Sequence, residues 1–559
     1  MYTTRLLFKL SQRNTNLQRY AVVWTPTRNV NFLQRCKECL NTVLKGKQET
    51  ICEKGQLTEE NAVTCMTRED VKPAVPLVPL YSANVVVVGA GMSGLTAANH
   101  LLENGVGNVT VLEALDRPGG QIKSTWFHDA VIELGSDVAK SSGTNPIAKD
   151  MFLDGLMTPQ LNGADFSRGL LLKSDGSSIP HPISLQVYQT FKQILAEAHE
   201  IEAASSFQTR TSIPEFIGSR IDQEIAMFPR NQIVEAERLF LGLASLFLAK
   251  SSHDDSLKVS NKFGDYLQLP GSCTMVPLGF FAEINTLYES LPENVVQFNK
   301  PVVKIKWGGV SDVFPRAVVI TDSGEEFPAD YVIITVPIGV LKAYADCLFC
   351  PGLPAGKLDA IMKIPIGHSN KIFLQFEQPF WRWKRDIEKM TFDPEEMECR
   401  EGWMKGLTSL EPIHGSDHIM CLTVSGPQAQ CMESLSDPEV ICDVVKFLKE
   451  MFCKEDVPDP IKIKRTQWSS DPRFLGAFAT TGPGVDSQDF FNLATPLPEQ
   501  TDFCDPVLLF AGAATCPVQF GTVEGAKSSG IREAERLIQL IRLQEQTDKE
   551  ERLNYQLKC

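Results

Sequence analysis

Residues Val85-Val86-Val87-Val88 run straight into Gly89-Ala90-Gly91-Met92-Ser93-Gly94, and no other stretch of the chain limits its fold so strongly. An unbroken β-branched run is what a parallel strand covered on both faces requires. Leu95, Ala98, Leu101 and Leu102 follow at helical spacing, and Gly105 ends that helix. A second strand is expected at Val109–Leu112, and Glu113 comes directly after it. Gly89 permits the tight turn, Gly91 lets the backbone approach a pyrophosphate, and Gly94 allows helix to pack closely on strand. Ser93 lies in the same loop, and the helix N-terminus offers its partial positive charge to phosphates. Glu113, 24 residues beyond Gly89, suits both ribose hydroxyls and would repel a 2′-phosphate, which disfavours NADP. A lone G-x-G-x-x-G is weak; here strand, helix, second strand and acid stand in register, so a dinucleotide-binding α/β unit is expected.

Composition narrows what surrounds this unit. The formal net charge is −15, which argues against nucleic-acid partners and favours cationic small molecules. No apolar run reaches 18 residues, so no transmembrane segment is expected. Fifteen cysteines in 559 residues are too sparse for a disulfide framework. Cys36-x-x-Cys39, with Cys52 and Cys65 downstream, lacks an accompanying histidine and reads as chance thiols; Cys347 and Cys350 read as structural. No metal ligands are assigned. Residues 1–37 hold seven basic residues (Arg5, Lys9, Arg13, Arg19, Arg28, Arg35, Lys37) before the first acid, Glu38. Such a segment is similar to a mitochondrial presequence, with a basic tail on a cytoplasmic protein as the alternative. The last residues, Gln556–Cys559, match neither a peroxisomal nor an ER-retention address.

The glycine loop alone does not choose between NAD and FAD. Arg117-Pro118-Gly119-Gly120 follows the acid, and Glu133-Leu134-Gly135-Ser136 comes soon after. Asp330–Lys342 reads as another strand and turn, and Leu509-Phe510-Ala511-Gly512 leads to Gly521-Thr522-Val523-Glu524-Gly525-Ala526. Collinear over about residues 82–540, these motifs resemble the flavin amine oxidase family, closest to the polyamine oxidases that act on spermine and N1-acetylpolyamines. The resemblance implies FAD contacts from Gly89, Gly91, Ser93, Gly94, Glu113, Arg117, Gly119, Gly120, Gly135, Ser136, Val302, Gly512, Ala513, Thr522 and Val523. The alternating stretch Asn370–Trp381 reads as a strand, and Lys371 matches the family lysine that holds a water beneath the flavin. A lysine desolvated there can have a lowered pKa. Trp468 and Phe478 match the family's tryptophan and aromatic wall, with Thr522 at the opposing position where an aromatic is usual. No cysteine occurs at residues 476–480, so the FAD is expected to be noncovalent. The implied reaction is FAD-dependent oxidation of a small-molecule amine by dioxygen, giving an aldehyde, a shorter amine and hydrogen peroxide.

The implied fold is α/β: a Rossmann-like FAD-binding domain (82–150, 262–345 and 500–542) interleaved with an α+β substrate domain of mixed sheet plus helices (151–261 and 346–499). A linker over 38–81 precedes it, and a charged tail over 543–559 follows, of which Lys549–Lys558 is expected to fray. Helices are expected at Ser184–Ser205, Gln232–Leu248 and Glu439–Phe452. Several positions depart from the family pattern: Gln121 for an arginine, Val138 and Lys140 for tryptophan and histidine, Ser272 for a glycine, Ala513 for a glutamate that binds the ribityl chain, and Glu524 for a histidine. Lys140 would repel a cationic substrate, and Glu524 or Asp137 would attract one. Because these changes cluster at flavin and substrate, a flavin-fold protein with little or no oxidase activity, kept for binding or scaffolding, is the alternative reading. The patterns do not encode the oligomeric state.

Overall fold

A computed structural model describes residues 81–136, 138–140, 171–172, 181–204, 213–251, 273–275, 280–308, 315–381, 389–390, 402–413, 415–452, 456–480, 485, 487–499, 505–517 and 519–558. Residues 1–80, with the basic segment, the linker and the four N-terminal cysteines, lie outside them. The β-branched run forms the strand Tyr81–Val88, and the helix Met92–Glu103 follows, as its periodicity requires. The second strand starts three residues earlier than expected and spans Val106–Leu112. A five-stranded parallel sheet runs in the order Leu508–Phe510, Tyr331–Ile334, Tyr81–Val88, Val106–Leu112, Val296–Gln297. Its strands therefore come from segments hundreds of residues apart.

Both faces of this sheet are covered, and the side-chain alternation of one strand shows it. Val85 and Val87 bury against Leu95, Ala98, Leu101 and the last helix through Leu537 and Ile541. Val86 and Val88 bury on the other face against Ile305, Val319, Leu341 and Phe349. That second core includes a four-stranded sheet ordered Glu326–Ala329, Ala317–Thr321, Val302–Trp307, Phe349–Cys350.

Three further cores lie among the described residues, the smallest of them formed by Phe127, Ile132 and Leu134 with Phe373 and Ile419. An antiparallel sheet ordered Leu407–Pro412, Ile419–Ser425, Ser369–Gln375, Lys462–Arg465 packs Ile372, Leu374 and Leu422 against the amphipathic helix Asp437–Phe452. The expected strand Asn370–Trp381 ends early, at Gln375, and beyond it Phe376, Phe380 and Trp381 fold into an edge-to-face aromatic cluster. Helices His181–Ala204, Ile213–Ile225 and Ile233–Ser251 form a separate helical core around Phe191, Ile221 and Phe240. No helix among the described residues is long and apolar enough to cross a membrane.

The last helix corrects one expectation. It runs from Val523 through Lys558, so residues 549–558 continue the helix instead of fraying. Glu, Gln, Lys, Arg and Leu dominate that segment, and all are good helix formers. Its N-terminal half crosses the helix Met92–Glu103 at close range. A Cβ on Gly530 would stand 2.3 Å from the carbonyl oxygen of Ser93, and Ser529 Oγ lies 3.1 Å from Ser93 Oγ beside it. Backbone on one side and backbone on the other leave nothing that can give way. Gly530→Ala is therefore expected to lower stability by about 1–3 kcal/mol, read as a drop in the urea midpoint at unchanged slope. An unchanged midpoint would refute this close crossing.

Candidate active site

Gly91 caps the helix Met92–Glu103 without any side-chain hydrogen bond, so the amides of its first turn remain available to an anionic ligand. Gly89, Gly91, Met92 and Ser93 line a cavity of about 730 Å³. Gly94 does not line it. A Cβ there would meet the Gly89 carbonyl oxygen at 1.9 Å, which is the close helix–strand packing expected of it. At Gly91 a Cβ would meet nothing within 4 Å, so the loop leaves room for a ligand to approach the backbone.

Glu113 is buried at the end of the second strand and lines the same cavity. Its Oε2 accepts from Ala90 N at 2.6 Å and its Oε1 from Leu115 N at 2.9 Å, which fixes the carboxylate and leaves each oxygen a lone pair for a hydroxyl. Burial pushes its pKa up, and those amides and Arg117 pull it back. Gly119 N donates to Ala90 O at 2.8 Å, tying the next turn to the glycine loop. Gly119 and Gly120 line the cavity, as do Gly135, Ser136, Val302, Gly512, Ala513, Thr522 and Val523. Arg117 stands behind its turn rather than on the wall. Its guanidinium donates to the carbonyls of Pro118, Gly120 and Ile122, and burial lowers its pKa. It braces the turn that carries the two glycines. The open loop, the uncapped helix start and the fixed carboxylate together fit the adenosine and pyrophosphate parts of FAD.

Lys371, Trp468 and Phe478 line the same cavity. Lys371 lies on the face of its strand that carries Phe373 toward the hairpin Ser124–Phe127/Ala130–Glu133, where Phe373 packs with Phe127, Ile132 and Leu134. Its Nζ donates to Gly135 O at 2.8 Å and Glu133 O at 3.1 Å, so the hairpin's exit holds the ammonium at the wall. Trp468 meets Phe474 edge to face, with centroids 5.1 Å apart. Phe478 sits in a short strand paired with Ile366–Gly367. Its ring covers Gly367 so closely that a Cβ there would lie 2.3 Å from Cε2. Thr522 is committed to the last helix as its cap: Oγ1 donates to Gln519 O at 2.7 Å and accepts from Gly525 N at 3.0 Å.

Three groups that sequence patterns passed over position these side chains. Asn370 is 1% exposed; its Nδ2 donates to Glu433 Oε1 at 2.6 Å, and its Oδ1 accepts from Thr466 Oγ1 at 2.9 Å. Thr466 Oγ1 in turn accepts from Lys371 N at 2.8 Å, and Glu433 accepts from Ser469 N and Ser470 N at 2.9 and 2.7 Å. This buried network joins the lysine strand to the segment after Trp468. The available signal was a polar residue within an apolar strand.

The departures from the family pattern now have places. Gln121 donates from Nε2 to Gly476 O at 3.0 Å and Ala477 O at 2.7 Å, so it clamps the segment that delivers Phe478. Ala513 puts only a methyl on the wall. Glu524 is 2% exposed and absent from the cavity lining, so it does not meet a substrate there. The backbone of Lys140 pairs with Cys273, while its side chain, Asp137 and Ser272 lie outside the described residues. Cys347 and Cys350 are exposed free thiols.

Beneath the cavity lies a buried lysine that the sequence did not single out. Lys357 is 4% exposed and donates to the carbonyls of Leu493 and Thr495, and its Nζ stands 3.9 Å from the centroid of the Phe510 ring. Leu493 and Phe510 are themselves wall residues. Burial lowers the Lys357 pKa from 10.5 to about 7, against the opposing pull of Glu533 and Glu499.

Comparison with known proteins agrees with this geometry. A family model described as flavin containing amine oxidoreductase matches residues 92–538. The peroxisomal N(1)-acetyl-spermine/spermidine oxidase of Bos taurus is 31% identical over 497 residues, covering 83% of this chain and 96% of that protein. The Homo sapiens protein of the same name is 30% identical, covering 82% and 95%. Probable polyamine oxidase 5 of Arabidopsis thaliana is 26% identical, covering 82% and 98%.

Two outcomes follow from the wall and its floor. The unfolded chain keeps the Lys357 proton up to about pH 10.5 whereas the folded chain releases it near pH 7, so this group makes stability rise with pH across that window. Urea denaturation of wild type and Lys357→Met at pH 7 and pH 9 should show the rise diminished in the variant; equal rises would refute it. Gly367→Ala should displace the Phe478 ring and cost about 1–3 kcal/mol, checked by thermal unfolding; full wild-type stability would rule out the tight seat.

Proposed function

The chain belongs to the flavin-containing amine oxidoreductases, and on that footing we propose that it oxidises polyamines (spermine, spermidine or their acetylated forms) to an aldehyde, a shorter amine and hydrogen peroxide, with FAD held noncovalently. The observation that carries this reading is the sharing of one cavity by the dinucleotide cradle of Gly89, Gly91 and Glu113 and by the Lys371, Trp468 and Phe478 side chains. In this reading the parallel sheet is the core of a Rossmann-like FAD-binding domain interleaved with a substrate domain. The names of the bovine and human relatives support the substrate class.

When bound, FAD supplies the two-electron acceptor for the hydride equivalent leaving the amine's α-carbon, with dioxygen as final oxidant. The chain's own residues do the rest. The helix start at Met92 and Ser93 binds the pyrophosphate, and Glu113 takes the ribose hydroxyls. Phe478 and Trp468 give the aliphatic stretches of a polyamine an apolar wall that excludes water. Lys371 presents its ammonium at the wall, fixed there by the carbonyls of Glu133 and Gly135. The net charge of −15 raises the local concentration of a polycation. Delivery to mitochondria belongs to the same proposal and rests on the seven basic residues before Glu38.

Ala513 favours the rival reading of a flavin binder without turnover, since one charge-assisted hydrogen bond to the cofactor is worth about 1.5–3 kcal/mol. The test is the visible spectrum of the purified protein, with spermine, spermidine, N1-acetylspermine and simple monoamines added anaerobically. Bleaching of the flavin bands by a polyamine is expected, and Ala513→Glu should tighten FAD binding about 10- to 100-fold. A yellow protein that no amine bleaches would overturn the oxidase in favour of the binder.

A further inference from the structure

Away from the cavity, His128, Asp129 and His418 converge, one donor atom from each lying within 4.8 Å of the others. We propose that these three side chains form a binding site for a borderline transition-metal ion of the zinc class. His128 and Asp129 are the two turn residues between the strands Ser124–Phe127 and Ala130–Glu133. His418 stands just before the strand Ile419–Ser425. The site therefore joins the hairpin that positions Lys371 to the sheet that carries it.

Each ligand is already oriented by a partner of its own. His418 Nδ1 lies 3.2 Å from Phe376 O. A carbonyl only accepts, so Nδ1 carries the proton and Nε2 keeps the lone pair a metal needs. Asp129 Oδ1 accepts from Ser416 Oγ at 2.5 Å, and Ser416 Oγ accepts from His418 N at 3.0 Å, so one buried serine aligns the two segments. Asp129 Oδ2 is left to the metal. His128 has φ of 54°, in a turn position where glycine is favoured. The sequence keeps an imidazole there, with its ring edge-on to His418 at 5.1 Å between centroids.

Two imidazoles and one carboxylate suit zinc, cobalt or nickel better than calcium or magnesium, which prefer all-oxygen shells. Tetrahedral ligands about 2.0–2.1 Å from zinc stand roughly 3.3 Å apart, so the three need to close by about an ångström or more. His128 is exposed on its turn and has the freedom to do so. An occupied site would hold the hairpin to the sheet without touching the cavity.

The experiment uses the tag-free, flavin-loaded full chain after chelator dialysis. Zinc chloride is titrated by calorimetry, and cobalt chloride is followed by visible absorption. One ion per chain is expected, with affinity at least about tenfold weaker in His128→Gly and His418→Gln and unchanged in Cys347→Ser/Cys350→Ser. Magnesium should not compete. His128→Gly suits its positive φ, so its metal-free melting temperature should not fall; if His418→Gln fails to fold, His128→Gly decides alone. Equal zinc affinity in His128→Gly and wild type, loss of binding in the cysteine variant, or no wild-type binding below millimolar zinc would each overturn the site.

Discussion

Main-chain-to-main-chain contact at the glycine loop is the constraint on which the rest of this structure depends. Gly94 sits on the Gly89 carbonyl, and Gly530 of the last helix sits on the Ser93 carbonyl. Gly119 N bonds Ala90 O, and Thr335 Oγ1 bonds Val88 O at 2.7 Å. Segments near residues 90, 119, 335 and 530 therefore meet at one point, at distances that admit no Cβ on Gly89, Gly94, Gly119 or Gly530. Each contact brings a length of chain to the cavity, so the cradle and the fold's central junction are the same object. This is why the wall can draw on four remote stretches of chain.

A second layer of buried polar groups converts that junction into a site. Asn370, Glu433 and Thr466 satisfy one another and nearby amides, and in doing so fix the Lys371 strand against the Trp468 segment. In a low-dielectric interior such a network specifies one arrangement, because any member left unpaired is costly. Gln121 performs a parallel task at the other side of the wall, where it bonds the carbonyls of Gly476 and Ala477. Its amide reaches two neutral acceptors without bringing a charge to the wall, which gives this departure a structural purpose. Ala513 has no comparable compensation among the described residues, and nothing in the structure explains it.

Several elements were legible in the sequence because they are local. The strand run at Val85–Val88, the helix after it and the helices expected at Ser184–Ser205, Gln232–Leu248 and Glu439–Phe452 all occur within a few residues of their expected limits. Periodicity reports which face is apolar, and burial then follows. Charge over residues 549–558 suggests fraying, whereas high helix propensity extends a helix already anchored by Leu537 and Ile541. The lysine strand ends before its alternating pattern does, because alternation alone does not register where Phe376, Phe380 and Trp381 leave the sheet to pack on one another.

By itself, the sequence determined the dinucleotide cradle, since glycines, β-branched runs and an acid at fixed spacing act within one stretch of chain. It also marked Lys371, Trp468 and Phe478 as a set, through resemblance. Only the tertiary structure decided that Arg117 braces a turn, that Thr522 caps a helix, that Glu524 is buried away from the wall and that Gly367 seats an aromatic ring. Gly367 meets a ring 111 residues away, and the carbonyls that Arg117 and Thr522 bond are near in sequence but turn toward them only in the folded chain. A residue's type limits which bonds it can make, but only packing decides which partner comes within reach.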